Sequence, residues 1–145
     1  MSGESCPIPT DPQPDQRTVI QQMLKAHRIA VVGLSDDPSR PSYEIASYLI
    51  LHGKEVIPVN PNYDTVLGQK CYPSLGEVSG AIDLVNVFRR PQFCADVVRD
   101  AIAVGAGGVW LQAGITNREA EKLAGEARMP FVQNRCIMVD HMHHV

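Results

Sequence analysis

Short apolar runs alternate along the chain with stretches whose apolar residues return at helical spacing. Ile20, Met23, Leu24 and His27 follow Thr18-Val-Ile-Gln21, which has the form of a capping box, so a first helix is expected there. Ile29 to Val32 is a run short enough for a buried strand, and it ends at Gly33. A polar loop leads to a helix opening near Pro41 and Ser42. Ile45, Tyr48 and Leu49 form its stripe, Ala46 and Ile50 widen it, and Gly53 stops it. A second strand occupies 54–61, although Pro58 within it removes a ladder donor. Residues 62–80 read as a long connection with a helical turn near Leu75 to Val78.

The alternation continues with a third strand over 82–88, broken by Arg89, Arg90 and Pro91. The helix over 92–104 turns Val97, Val98, Ala101 and Val104 inward. A fourth strand covers 109–112, with Trp110 read as core. Thr116-Asn-Arg-Glu119 has the form of a second capping box and opens a helix with Ala120, Leu123, Ala124 and Ala127 on one side. Residues 130–133 make a fifth strand, and 136–145 a short terminal segment. Five strands alternating with helices predict an α/β domain over 18–145, built on a mainly parallel five-stranded sheet with helices on both faces. Residues 1–17 carry Pro7, Pro9, Pro12 and Pro14 and no periodicity, which predicts a mobile or surface-draped arm.

Composition narrows the function classes. A length of 145 residues suits one domain, and 44% apolar with 20% charged residues is ordinary for a globular protein. A net charge of −3 gives no electrostatic case for nucleic acid or an anionic membrane. No apolar run approaches the roughly 20 residues of a membrane helix, and the start does not have the form of a signal peptide. Cys6, Cys71, Cys94 and Cys136 lack CxxC spacing, so reduced thiols in a cytoplasmic protein are expected.

In such sheets ligands bind beyond the carboxyl ends of the strands, near the point where strand order reverses. That rule selects Gly33, Leu34 and Ser35 after the first strand, Asn60 and Pro61 after the second, Phe88, Arg89 and Arg90 after the third, and Gln112 after the fourth. With Arg40 the set is rich in cations and holds no evident acid–base pair. It suits the cradle of a phosphate-bearing ligand. The GxGxxG fingerprint of dinucleotide sites is absent, and Asn60 stands where an acid for the ribose of NAD is expected. No phosphate-binding GKS or GKT occurs. Coenzyme A carries a 3′-phosphate that an acid would repel and Asn60 would not.

Val31-Val-Gly-Leu-Ser35, Arg40-Pro-Ser42, Val59-Asn-Pro61, Val87-Phe-Arg-Arg-Pro91, Val109-Trp-Leu-Gln112 and Asn134-Arg-Cys-Ile-Met-Val-Asp-His141 occur in this order. Together they resemble the family of small stand-alone CoA-binding proteins, which are similar to the CoA-binding domain of the succinyl-CoA synthetase α-subunit. The resemblance covers about residues 18–142. It implies a Rossmann-like doubly wound fold and bound CoA or acyl-CoA. By position, Gly33, Leu34 and Ser35 would meet the pyrophosphate, and Arg40, Pro41 and Ser42 would close over the phosphates. Asn60 and Pro61 would line the nucleotide side, Phe88, Arg89, Arg90 and Pro91 the opposite wall, and Gln112 the pantetheine path. The adjacent acids Asp36 and Asp37 depart from the family pattern. The phosphorylated histidine and ATP-binding subunit of the synthetase lie outside these residues, so the resemblance implies binding without a known reaction. Two other readings stay open: an NAD-linked redox-sensing module, and a small CoA-dependent enzyme using Cys136 with His141. His143 and His144 are read as solvated rather than metal-binding.

Overall fold

The computed structural model describes residues 16–144, so residues 1–15 of the expected arm, with Cys6, lie outside it. Helix α1 (Gln16–Leu24) leads into β1 (Arg28–Val32), and α2 (Pro41–Leu51) into β2 (Glu55–Val59). A hairpin of β3 (Thr65–Val66) and β4 (Gln69–Lys70) follows, then β5 (Leu84–Val87) and α3 (Cys94–Ala103). The chain closes through β6 (Val109–Leu111), α4 (Arg118–Glu126), β7 (Phe131–Val132) and α5 (Ile137–His144).

The five expected strands form one sheet in the order β2-β1-β5-β6-β7, and every pair is parallel. Successive side chains leave a strand on opposite faces, and the two halves of the core follow that alternation. Ala30, Val32, Val85 and Val87 pack with Val98 and Ala101 of α3 and Ala120 and Ala124 of α4. Ile29, Val31, Leu84 and Trp110 pack with Ile20 of α1, Ile45 and Leu49 of α2 and Ile137 of α5. Helices therefore cover both faces in the Rossmann-like, doubly wound manner. Strand order reverses between β1 and β5, which opens a crevice above their carboxyl ends.

Several local expectations change. Thr18 lies inside α1 rather than at its cap. Asn117, not Thr116, caps α4, its side chain accepting from the Ala120 N–H at 2.7 Å. Val104 is exposed rather than inward. Pro58 is tolerated because β2 is the edge strand. Its carbonyl accepts from Tyr72 on the outer side, so the missing donor faces away from β1. Pro41 sits in the first turn of α2, where no N–H is needed. At its other end, Gly53 (φ 85°) and Lys54 donate to the carbonyls of Ile50 and Leu49, closing the helix as a Schellman motif.

Candidate functional site

Above the crevice lies an open cavity of about 680 Å³, floored by Val32, Val59 and Leu75 and rimmed by Arg40, Arg89 and Arg90. A recess of about 190 Å³ adjoins it at the start of α2, sharing Gly33, Arg40 and Phe88 and adding Ser35, Pro41 and Ser42. Three loops, after β1, β2 and β5, converge here. Gly33 lets them meet. Its φ is 88°, and a Cβ there would stand 2.6 Å from the Phe88 carbonyl oxygen. Its own N–H donates to the Val59 carbonyl at 2.9 Å, and the Phe88 N–H donates to the Val32 carbonyl at 2.8 Å.

Hydrogen bonds fix the loop between β1 and α2. The Ser42 hydroxyl, buried in the first turn, accepts from the Ser35 N–H at 3.1 Å. Asn60 Nδ2 donates to the Leu34 carbonyl at 3.1 Å, and Asn60 Oδ1 accepts from the Asn62 N–H at 2.9 Å. Asp37 turns onto Ser39, accepting from its N–H and hydroxyl at 3.0 and 2.8 Å. Those bonds, the backbone one first, hold its carboxyl below the usual range. Arg89 is half-buried, and its guanidinium sits 4.4 Å from the centroid of the Phe93 ring, a cation–π contact that orients the charge at the cavity wall.

Most of the residues selected from the sequence thus meet in one place, with differences of role. The N–H groups of Gly33 and Ser35 are already engaged. Leu34 is fully buried, its side chain in the core on the α2 face. Gln112 does not line the cavity. It points to the α5 face, where its Oε1 accepts from Asn86 Nδ2 at 3.2 Å and from the Ile137 N–H at 3.3 Å. Sequence reasoning missed Asn62, Pro73, Ser74, Phe93, Val97 and Asp100, which also line the cavity. Helical spacing puts Phe93, Val97 and Asp100 on one face, but nothing local marks that face as overhanging a ligand site.

None of the described cysteines lines the cavity, although Cys94 donates to the carbonyls of Arg89 and Arg90 and Cys71 to that of Asn60. Cys71, Cys94 and Cys136 are free. Burial pushes the thiols of Cys71 and Cys94 up, which disfavours the nucleophilic thiolate. Cys136 packs on the opposite core half, with Met138. His141 is buried on α5, its Nδ1 2.8 Å from the Tyr48 hydroxyl, and its ring meets His52 edge-on at 5.3 Å. Among the described residues no group of three or more His, Cys, Asp or Glu is placed to hold a metal ion. Among them, too, no helix is long and apolar enough to cross a membrane.

A doubly wound parallel sheet with a cation-rimmed cavity at its switch point defines a nucleotide-binding domain. The particular kind follows from the sequence of the whole unit: residues 27–142 match the model of the CoA binding domain, and the chain belongs to that family. It is 38% identical over 128 residues to the protein YneT of Bacillus subtilis, covering 88% of this chain and 95% of that one. A hypothetical protein from Pyrococcus horikoshii superposes with a TM-score of 0.85 at 39% identity, covering 92% of this chain and 96% of that one. Subunit alpha of the ADP-forming acetate–CoA ligase II of Pyrococcus furiosus is 28% identical over 126 residues, or 79% of this chain. The match spans only 28% of that subunit's length.

Proposed function

We propose that this chain binds coenzyme A or an acyl-CoA in the cavity above β1, β2 and β5, and that it does so as a binding module in the cytoplasm. The observation that carries the reading is the cavity's chemistry. Three arginines, Arg40, Arg89 and Arg90, border it against a single carboxylate, Asp100. CoA brings nearly four negative charges at one end, so its diphosphate and 3′-phosphate suit the arginine rim. The recess at the α2 N-terminus adds a favourable dipole for one phosphate. Asn60 at the end of β2 presents no charge to the ribose phosphate, whereas an NAD site there calls for an acid. Family membership and the relatives named as acetate–CoA ligases support the same ligand.

The binding-only part rests on side-chain chemistry. Among the described residues the cavity lining carries arginines and one carboxylate but no histidine, cysteine, lysine or tyrosine, and the thiol considered as a nucleophile, Cys136, packs on the other core half. Parallel calorimetric titrations with CoA, acetyl-CoA, NAD and ATP test the reading. CoA or acetyl-CoA should bind tightest, and NAD binding more tightly than either would overturn it.

A further inference from the structure

Resting on the reading of the cavity as a CoA site, we propose that Asp100, assisted by Ser74, selects the 6-amino group of the coenzyme's adenine. The cavity is bipolar. Its arginines sit at the loops, and α3 runs away from them along one wall. Phe93, the residue that caps α3, and Val97 and Asp100 within it line that wall at helical spacing. Asp100 lies seven positions beyond Phe93, about 10 Å at the helical rise. That is roughly a Debye length at 0.1 M salt, so a carboxylate there does not cancel the phosphate end. Between the poles the lining includes the apolar, nearly buried Val97 and Leu75, a surface suited to the face of a purine ring.

Asp100 has no structural employment. Arg99 beside it is taken by Asp96 at 2.7 Å and by Glu119 at 2.5 Å, and no described residue pairs with the Asp100 carboxylate. Its place in the last turn of α3 is where an acid is unfavourable for the helix itself. Ser74, on the segment 73–75 that also lines the cavity, starts the short turn Leu75–Glu77 without a side-chain capping bond. A carboxylate accepts and cannot donate. At the purine end it therefore favours a ring carrying an exocyclic amine and opposes one carrying a carbonyl at the same position. The ligand class is a 6-aminopurine nucleotide.

The test compares CoA with its deaminated, 6-oxopurine form by competition on wild type, Asp100→Ala, Asp100→Asn and Ser74→Ala. Wild type should prefer CoA by about 10- to 100-fold, the worth of one hydrogen bond to a charged group. Asp100→Ala should remove that preference by weakening CoA while leaving the deaminated form unchanged or tighter. Asp100→Asn should leave little discrimination, because its amide offers both a donor and an acceptor. Ser74→Ala should reduce it only a few-fold. Asp100 is exposed, so melting temperatures should stay close to wild type. Equal wild-type affinity for the two forms, or a preference that survives Asp100→Ala, overturns this inference and leaves the CoA site standing. Failure of wild type to bind CoA at all removes both.

Discussion

Replacing Gly33 by alanine joins two costs that can be measured apart. The first is backbone strain: a side chain at φ 88° enters a region that L-residues adopt at a cost of roughly 1–2 kcal/mol. The second is contact, since the new Cβ would stand 2.6 Å from the Phe88 carbonyl oxygen and 3.1 Å from its carbon. Backbone on both sides must move, and overpacking of this kind costs roughly 1–3 kcal/mol. Gly53 supplies the control. Its φ is 85°, and nothing lies within 4 Å of a Cβ built there. Gly53→Ala should therefore lose only the strain, and Gly33→Ala about 2–5 kcal/mol. At about 2–4 °C per kcal/mol, the two variants should separate clearly in melting temperature and in urea midpoint. Displacing Phe88 also displaces Arg89, so Gly33→Ala should weaken CoA at least about tenfold, while Gly53→Ala leaves binding alone. Equal destabilisation by the two substitutions, with CoA affinity intact in both, would refute the account of Gly33 as the point where the loops touch.

Three further outcomes follow from the geometry. Arg89→Ala should weaken CoA about 10- to 100-fold as one charge-assisted contact is lost, with a shallower salt dependence than wild type in calorimetry. His141 is held below the ordinary histidine value of 6.5 by burial first, then by Lys54 and His52. The unfolded chain therefore binds that proton more readily, and stability should be complete above about pH 6.5 and fall as the pH drops toward the lowered value. Urea midpoints at pH 7.5 and 5.5 should show a smaller drop in His141→Gln, and an identical drop would sink the idea. In the native protein a thiol reagent should modify half-buried Cys136 before buried Cys71 and Cys94, whose thiols are pushed up by burial. Earlier modification of Cys94 would contradict its placement.

The five strands of the main sheet were legible because each is a compact apolar run bounded by glycine, proline or charge, and the switch-point rule then gathered the loops. What escaped depended on long-range partners. The β3–β4 hairpin turns at Leu67 and Gly68 with both φ positive, 54° and 73°. Such a turn is usually announced by Asn-Gly or Asp-Gly, and leucine hides it. Helix α5 buries Ile137, Asp140 and His141. Two of those three are polar, so no apolar stripe shows. Asp140 is satisfied by Arg135, which grips it with bonds of 2.7 and 2.9 Å, and His141 by Tyr48. Gln112 was placed at the right end of the right strand, but strand alternation puts it on the same face as Trp110 and out of the cavity.

The bonds from Gly33 to Val59, from Phe88 to Val32 and from Gln112 to Val87 continue the sheet's ladder one residue beyond its strands. The starts of these loops are therefore extensions of the β-sheet rather than independent flaps, and two of them, at Gly33 and Phe88, border the cavity. On the proposed coenzyme reading, the ligand meets loops that are already held in place by their own backbone bonds. The entropy lost on association falls mainly on the ligand's own flexible chain and on the arginine side chains. Encounter can then proceed without waiting for closure, and ligands sharing the nucleotide end should differ in residence time more than in rate of capture.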